Sequence, residues 1–231
     1  IIIGESLLNL GSSKYFFNSI KNFLAQNKKI SEEWNSFNTL SCDASTVGNY
    51  DLGIINESNN LLEDLQNHKF DIVYLIGQDN LNFDKKDEFI IYQGSHGDKG
   101  ADIADIILPG SAYTEQDGYF TNLEGKLQKA YKASYPPGEA KEDWQIINEL
   151  AASLKRKNLY TNKEELVNSM INFLNTHKDK NFEVPKYEFI NESIYVDDLD
   201  YYHSNAIARA SKTMSECKNL SSNIKKTGTD G

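Results

Sequence analysis

Few residues in this sequence are arranged to bind, protonate or attack anything. The densest candidate is Gly94-Ser95-His96-Gly97-Asp98-Lys99-Gly100, a glycine-rich segment that follows an apolar run. Open α/β sheets bind ligands beyond the carboxyl ends of their strands, so the position suits a ligand loop. The spelling does not suit a phosphate. No GxxxxGK[ST] is present, Lys99 is followed by Gly100, and Asp98 would oppose an anion. A structural turn is the simpler reading. A histidine such as His96 could act as an acid or base, but no nucleophile or fixed orienting carboxylate accompanies it. It reads as a hydrogen-bonding turn residue. His68, His177 and His203 are scattered and lack metal-ligand spacing.

Glu115, Asp117 and Glu124 could do paired-carboxylate chemistry. In a glycine-bearing surface hairpin they read instead as solvated groups or partners of Lys126 and Lys129. Cys42 and Cys217 are too far apart for a CxxC site, an iron–sulfur run or a disulfide framework. Cys42 follows a strand with no cationic neighbour in sequence, so it reads as a buried, inert thiol. The acidic, tyrosine-flanked run 196–200 is either a solvated strand end or a patch for a basic partner. The residues by themselves assign no catalytic group and no metal ligand.

The elements that would hold these groups alternate. Residues 1–3 read as a strand, and Phe16, Phe17, Ile20, Phe23 and Leu24 keep a helical period from Ser12 or Ser13 to Asn27. Residues 36–40 read as a strand, 44–53 as a loop and 61–68 as a short helix. Residues 71–76, 88–92 and 103–108 are β-branched runs of the kind buried on both faces of a parallel sheet. Together they predict an α/β fold with a Rossmann-like parallel sheet. Residues 113–128 predict an irregular hairpin, and Pro136-Pro137-Gly138 a break. A helix over 141–154 presents Trp144, Ile147, Leu150, Ala151 and Leu154 on one face. Asn162 caps another helix, with Glu165 three residues on. Residues 177–192 read as a linker, 206–217 as one helix, and 221–231 as a mobile tail. The organisation expected is a Rossmann-like domain over 1–135, a helical segment over 136–180, and a linker, C-terminal helix and tail over 181–231.

The composition narrows the functional classes. The chain has 231 residues, with 24 Lys+Arg against 34 Asp+Glu and a formal net charge of -10. Such a surface is a poor one for nucleic acid. No apolar run approaches the ~20 residues of a membrane span, so no direct membrane insertion is expected. The opening Ile1-Ile2-Ile3-Gly4 and the two isolated cysteines point to a piece of a larger protein.

Four stretches together carry a resemblance. Residues 90–98, then 104–110 (ADIILPG), Tyr113-Thr114-Glu115 and Thr121-Asn122-Leu123-Glu124-Gly125, resemble the ADxxLP…TE…TNxEGRxQ signature of the molybdopterin oxidoreductase superfamily. Within it, YQGSHGD (92–98), ILPGSAYTE (107–115), PPGEAKEDW (136–144) and ARASKTMSEC (208–217) are similar to the 75 kDa iron–sulfur subunit family of respiratory complex I, the NADH–quinone oxidoreductase. WNSFN (34–38) and ASTVGNYDLG (44–53) fit as well.

The resemblance implies a sheet of the molybdopterin oxidoreductase type with a helical C-terminal extension. It implies a vestigial pterin-site signature at Gly94, His96, Gly97, Glu115, Asn122, Glu124 and Gly125, with no cofactor held by this segment. Lys126 stands where many members have Arg, which weakens a guanidinium-type contact. The family further implies iron–sulfur clusters on an upstream part of the subunit and FMN on a partner subunit. The expected partners are that upstream part and other peripheral-arm subunits, and the role is structural support of electron transfer from NADH to ubiquinone. The expected place is the matrix side of the mitochondrial inner membrane, or the cytoplasmic side of a bacterial one. The alternative is a fragment of a catalytic, formate dehydrogenase-like molybdopterin enzyme, with residues 94–100 and 121–125 lining a pterin pocket.

Overall fold

In chain order, β1 (Ile2–Gly4) passes through a 3₁₀ turn (Glu5–Asn9) into α1 (Ser13–Gln26), β2 (Asn38–Leu40), α2 (Thr46–Asp51) and α3 (Leu61–Gln66). Then come β3 (Ile72–Ile76), β4 (Phe89–Gly94), α4 (Lys99–Asp102), β5 (Ile106–Pro109) and a hairpin of β6 (Gly118–Thr121) and β7 (Leu127–Ala130). Helices α5 (Asp143–Ser153), α6 (Lys163–His177), α7 (Ala206–Ala210) and α8 (Lys212–Asn223) follow. This computed structural model describes residues 1–31, 33–54, 61–78, 81, 83–157, 159–177, 187–193 and 200–223. The α/β class is as expected, and α7 and α8 form helical structure near the C-terminus. No helix among the described residues is long and apolar enough to cross a membrane.

The chain divides into two compact units. One comprises Ile1–Ile55, Gly118–Ala130 and Tyr160–Asp197. Here β1 and β2 pair in parallel, Ile2 opposite Asn38, with α1 as the crossover between them. The apolar stripe of α1 buries Leu24, and Phe17 packs its ring 4.9 Å from that of Phe37. Residues 44–53 are not a loop throughout, because Thr46–Asp51 form α2. Gly48 lies against Thr121 of β6, where a Cβ would meet its Oγ1 at 3.7 Å. Tertiary packing overrides the weak helix propensity of TVGNYD. Asn162 caps α6 as expected, accepting from the Glu165 N–H at 2.9 Å, while the Glu165 carboxylate accepts from the Thr161 N–H at 2.8 Å.

The expected linker divides. Residues 178–186 lie outside the described residues, but 187–192 are docked rather than linking. Glu192 accepts from the N–H groups of Gly11 (3.0 Å) and Ser12 (2.9 Å) at the start of α1. Ser12 Oγ donates to the Ile190 carbonyl, and Phe189 packs edge-on against Tyr15 and Phe16. The two backbone donors hold the Glu192 carboxyl below the usual carboxylate range.

The other unit comprises Asn56–Asp117, Tyr131–Leu159 and Asp198–Gly231. Its sheet runs β3-β4-β5, all parallel, with Tyr74 opposite Ile91 and Tyr92 opposite Ile107. Leu75, Ile90 and Tyr92 form the core, packed by Val73, Leu81, Phe83, Ala101, Ile103 and Ala104. Fully burying side chains of this size stabilises by roughly 1.5–3 kcal/mol each. The strands are not buried on both faces as their sequence predicts: Ile72 is 64% exposed and Ile107 54%. Among the described residues, β4 has a strand on each side while β3 and β5 each have one strand neighbour. The third strand is also shorter than 103–108, because Ile103 caps α4 and β5 starts at Ile106.

In α5 the buried residue is Ile146, while Leu154, expected on the apolar face, is 66% exposed. The expected helix over 206–217 is two helices. Ser211 is extended, with ψ 118, and separates α7 from α8, which runs on through residues 221–223 of the expected tail. Residues 194–199, which hold most of the acidic run, and residues 224–231 lie outside the described residues.

Candidate functional site

The glycine-rich turn follows β4, the central strand, at the carboxyl end of the sheet where a ligand would bind. Its interior is filled by the chain itself. Tyr92, 2% exposed, donates its hydroxyl to the His96 carbonyl at 2.7 Å. A Cβ on Gly94 would collide with that hydroxyl, and one on Gly100 would lie 2.7 Å from the Gln78 carbonyl oxygen. These two glycines are therefore close-approach positions, whereas a Cβ on Gly97 would meet nothing within 4 Å. His96 is the hydrogen-bonding turn residue expected: its Nδ1 lies 2.9 Å from Ser95 Oγ.

Asp98 determines the electrostatics of the turn. Its carboxylate caps α4, accepting from the Lys99 N–H at 2.9 Å, and its other oxygen accepts from Arg209 Nε at 2.6 Å. Arg209, at the end of α7, also reaches the His203 carbonyl at 3.4 Å. Burial pushes the Asp98 carboxyl up, but the Lys99 N–H and the Arg209 guanidinium outweigh it and hold it below the usual range. The place an anion would take is held by this chain's own carboxylate, and the nearest guanidinium neutralises that carboxylate. Asp105 is fastened similarly to the Ile90 N–H (2.8 Å) and Lys85 Nζ (2.6 Å), which together lower its carboxyl.

A polar network lies behind β4. Gln93, fully buried, donates from Nε2 to Asp143 Oδ1 at 2.7 Å and accepts from the Tyr74 hydroxyl. Gln116 Nε2 donates to the second oxygen of Asp143 at 3.2 Å. Asp143 opens α5, where the helix dipole favours its charge. Burial first, and the Asp143 charge second, raise the Tyr74 hydroxyl. The PPGEAKEDW stretch thus ends beside the carboxylate that ties α5 to the central strand.

The remaining signature residues hold turns. Glu115 accepts from the Ala112 N–H at 2.9 Å, and Asp117 from the Lys132 N–H at 2.9 Å. Asn122 Oδ1 accepts from Glu124 (3.0 Å) and Lys126 (2.9 Å), closing the β6–β7 hairpin, and Gly125 supplies its φ of 75°. Gly94, His96, Gly97 and Glu115 belong to one unit, and Asn122, Glu124 and Gly125 to the other.

An anionic pterin nucleotide needs free N–H donors and cations. Here the Lys99 N–H and the Arg209 guanidinium serve Asp98, and the Asn122 side chain serves its own hairpin. These groups, so paired, do not fit such an anion. No cluster of three or more His, Cys, Asp or Glu among the described residues could hold a metal ion.

Cys42 is exposed, not buried. Its N–H donates to Glu5, and hydrogen bonding to Glu5 and that residue's charge push the thiol up. Sequence reasoning placed Asp143 among the acids at a helix start but missed Arg209, Gln93 and the ties of Asp143 to Gln93 and Gln116. Arg209 left one trace: it is one of two arginines in the chain, in ARASKTMSEC.

Comparison with known proteins gives these features a context. A family model described as molybdopterin oxidoreductase matches residues 1–153. The NADH-ubiquinone oxidoreductase 75 kDa subunit of Reclinomonas americana is 35% identical over 235 residues, covering 95% of this chain and 34% of the relative. An NADH-quinone oxidoreductase subunit of Rickettsia bellii is 38% identical over 226 residues, 94% of this chain and 32% of the relative. The mitochondrial NADH-ubiquinone oxidoreductase 78 kDa subunit of Neurospora crassa is 33% identical over 248 residues, 99% of this chain and 32% of the relative. The chain spans about a third of the length of these curated relatives.

Proposed function

This chain belongs to the molybdopterin oxidoreductase family, and we propose that its work there is structural: a cofactor-free segment of the 75 kDa-type subunit of respiratory complex I. The observation that carries the reading is the Asp98–Arg209 pair, which closes the ligand end of the sheet with groups of the chain's own. The relatives are named as NADH-ubiquinone or NADH-quinone oxidoreductase subunits, which supports a place in the same assembly. Electron transfer from NADH to ubiquinone would run through iron–sulfur clusters on an upstream part of the subunit and FMN on a partner. This segment would pack against that part and neighbouring peripheral-arm subunits. The matching compartment is the matrix side of the mitochondrial inner membrane or the cytoplasmic side of a bacterial one.

Elemental analysis tests the cofactor half of the reading. Molybdenum and tungsten are expected well below one atom per chain in protein purified from its native source. Either metal at one per chain would overturn it and favour a catalytic, formate dehydrogenase-like enzyme.

A further inference from the structure

The unit that contains β1 and β2 holds a cavity of about 660 Å³ that the glycine turn does not explain. Aromatic rings and carboxylates line it together: Trp34, Phe37 and Tyr50 beside Glu33, Asp51 and Glu124. No Lys or Arg is among its described lining residues. Trp34 is 66% exposed and Tyr50 61%, although large aromatic rings gain most by burial. None of the three carboxylates makes an ion pair with a described residue. Three acids line one cavity with no described cation in ion-pair contact, a set of acceptors that a cation from outside would complement.

We propose that this cavity receives an arginine side chain carried on a basic segment of a neighbouring polypeptide. A guanidinium stacks on an indole or phenol face while its N–H fork engages carboxylates, and this lining supplies both partners. An ammonium would satisfy the charge but not the planar faces. Glu124 ties the site to the signature hairpin: Asn122 holds the backbone of that turn, which leaves the Glu124 side chain to line the cavity. The inference adds a partner chemistry to the structural reading above, and its test runs on the isolated chain, independently of whether that chain assembles.

The test is calorimetric titration of the full 231-residue chain with a decapeptide amide of alternating arginine and serine. The same peptide with citrulline, the neutral isostere, runs in parallel. Wild type and the charge-matched control Glu63→Gln/Glu139→Gln/Glu216→Gln are expected to bind the arginine peptide alike. Glu33→Gln/Asp51→Asn/Glu124→Gln and Trp34→Ala are each expected to weaken that binding by about tenfold or more. The citrulline peptide is expected to bind wild type more weakly by a similar factor. Circular dichroism establishes that each variant is folded. Equal losses in the cavity and control triples would reduce the effect to net charge and overturn the proposal. Undetectable binding of the arginine peptide to wild type would overturn it as well.

Discussion

Asp98 and Arg209 stand 111 positions apart in sequence and meet at 2.6 Å, closing the turn beyond the central strand with an ion pair internal to the chain. Both side chains are largely shielded from water, at 25% and 21% exposed. Arg209→Ala should lower stability by about 1–2 kcal/mol, because it strands a shielded carboxylate. Urea unfolding reads this directly. Hydrogen exchange should quicken in α7 and α4, with the β6–β7 hairpin unaffected.

The glycines of the turn should separate by what surrounds them. Gly100→Ala places a methyl against the backbone carbonyl of Gln78 and should cost about 1–3 kcal/mol. Gly97→Ala meets open space without positive φ and should change stability by less than about 0.5 kcal/mol. Thermal melts of the two variants side by side check the contrast.

Gln93→Leu should be among the costlier single changes, at about 2–4 kcal/mol. It leaves the half-buried Asp143 carboxylate and Tyr74 hydroxyl without the buried partner they share. Near-ultraviolet circular dichroism and the urea midpoint should both report it.

Acid should destabilise the fold in a defined direction. The carboxyls of Glu88, Asp98, Asp105, Glu192 and Asp200 are all held below their ordinary values. A group depressed in the folded state contributes stability above its unfolded pKa, near 4, and loses that contribution as pH falls through the folded value. The urea midpoint should be level between pH 6 and 7 (roughly, from those reference values) and fall steadily below about pH 4.5.

Cys42 offers a chemical check. Glu5 raises its thiol, so Glu5→Gln should increase the thiolate fraction and speed its alkylation severalfold at pH 8 (approximately; a thiol's reference value is about 8.5). Iodoacetamide kinetics in a Cys217→Ser background measure it.

How far the sequence carries depends on the range of the contacts. The cores of β3, β4, α1, α5 and α6 are legible because apolar period and local capping residues act within a few positions, as Asn162 and Glu165 do. Helix α2 is not, because TVGNYD is weak helical material held by Thr121 some seventy positions away (approximate; the packing, not the propensity, decides). The docking of Glu192 on Gly11 and Ser12 bridges about 180 positions and leaves no local trace. Apolar runs cannot tell edge strands from central ones, which is why Ile72 and Ile107 are exposed against expectation. The signature is legible as spelling, but whether Asp98 repels a ligand or binds Arg209 depends on where α7 lies.

The most direct test of the structural account is to isolate complex I from the native source on a blue native gel and identify its chains by mass spectrometry. The account predicts that this chain migrates with the NADH-oxidising band, and that depleting it dissolves the band. Recovery of the chain only as a free monomer, with NADH oxidation by the complex intact in its absence, would contradict it.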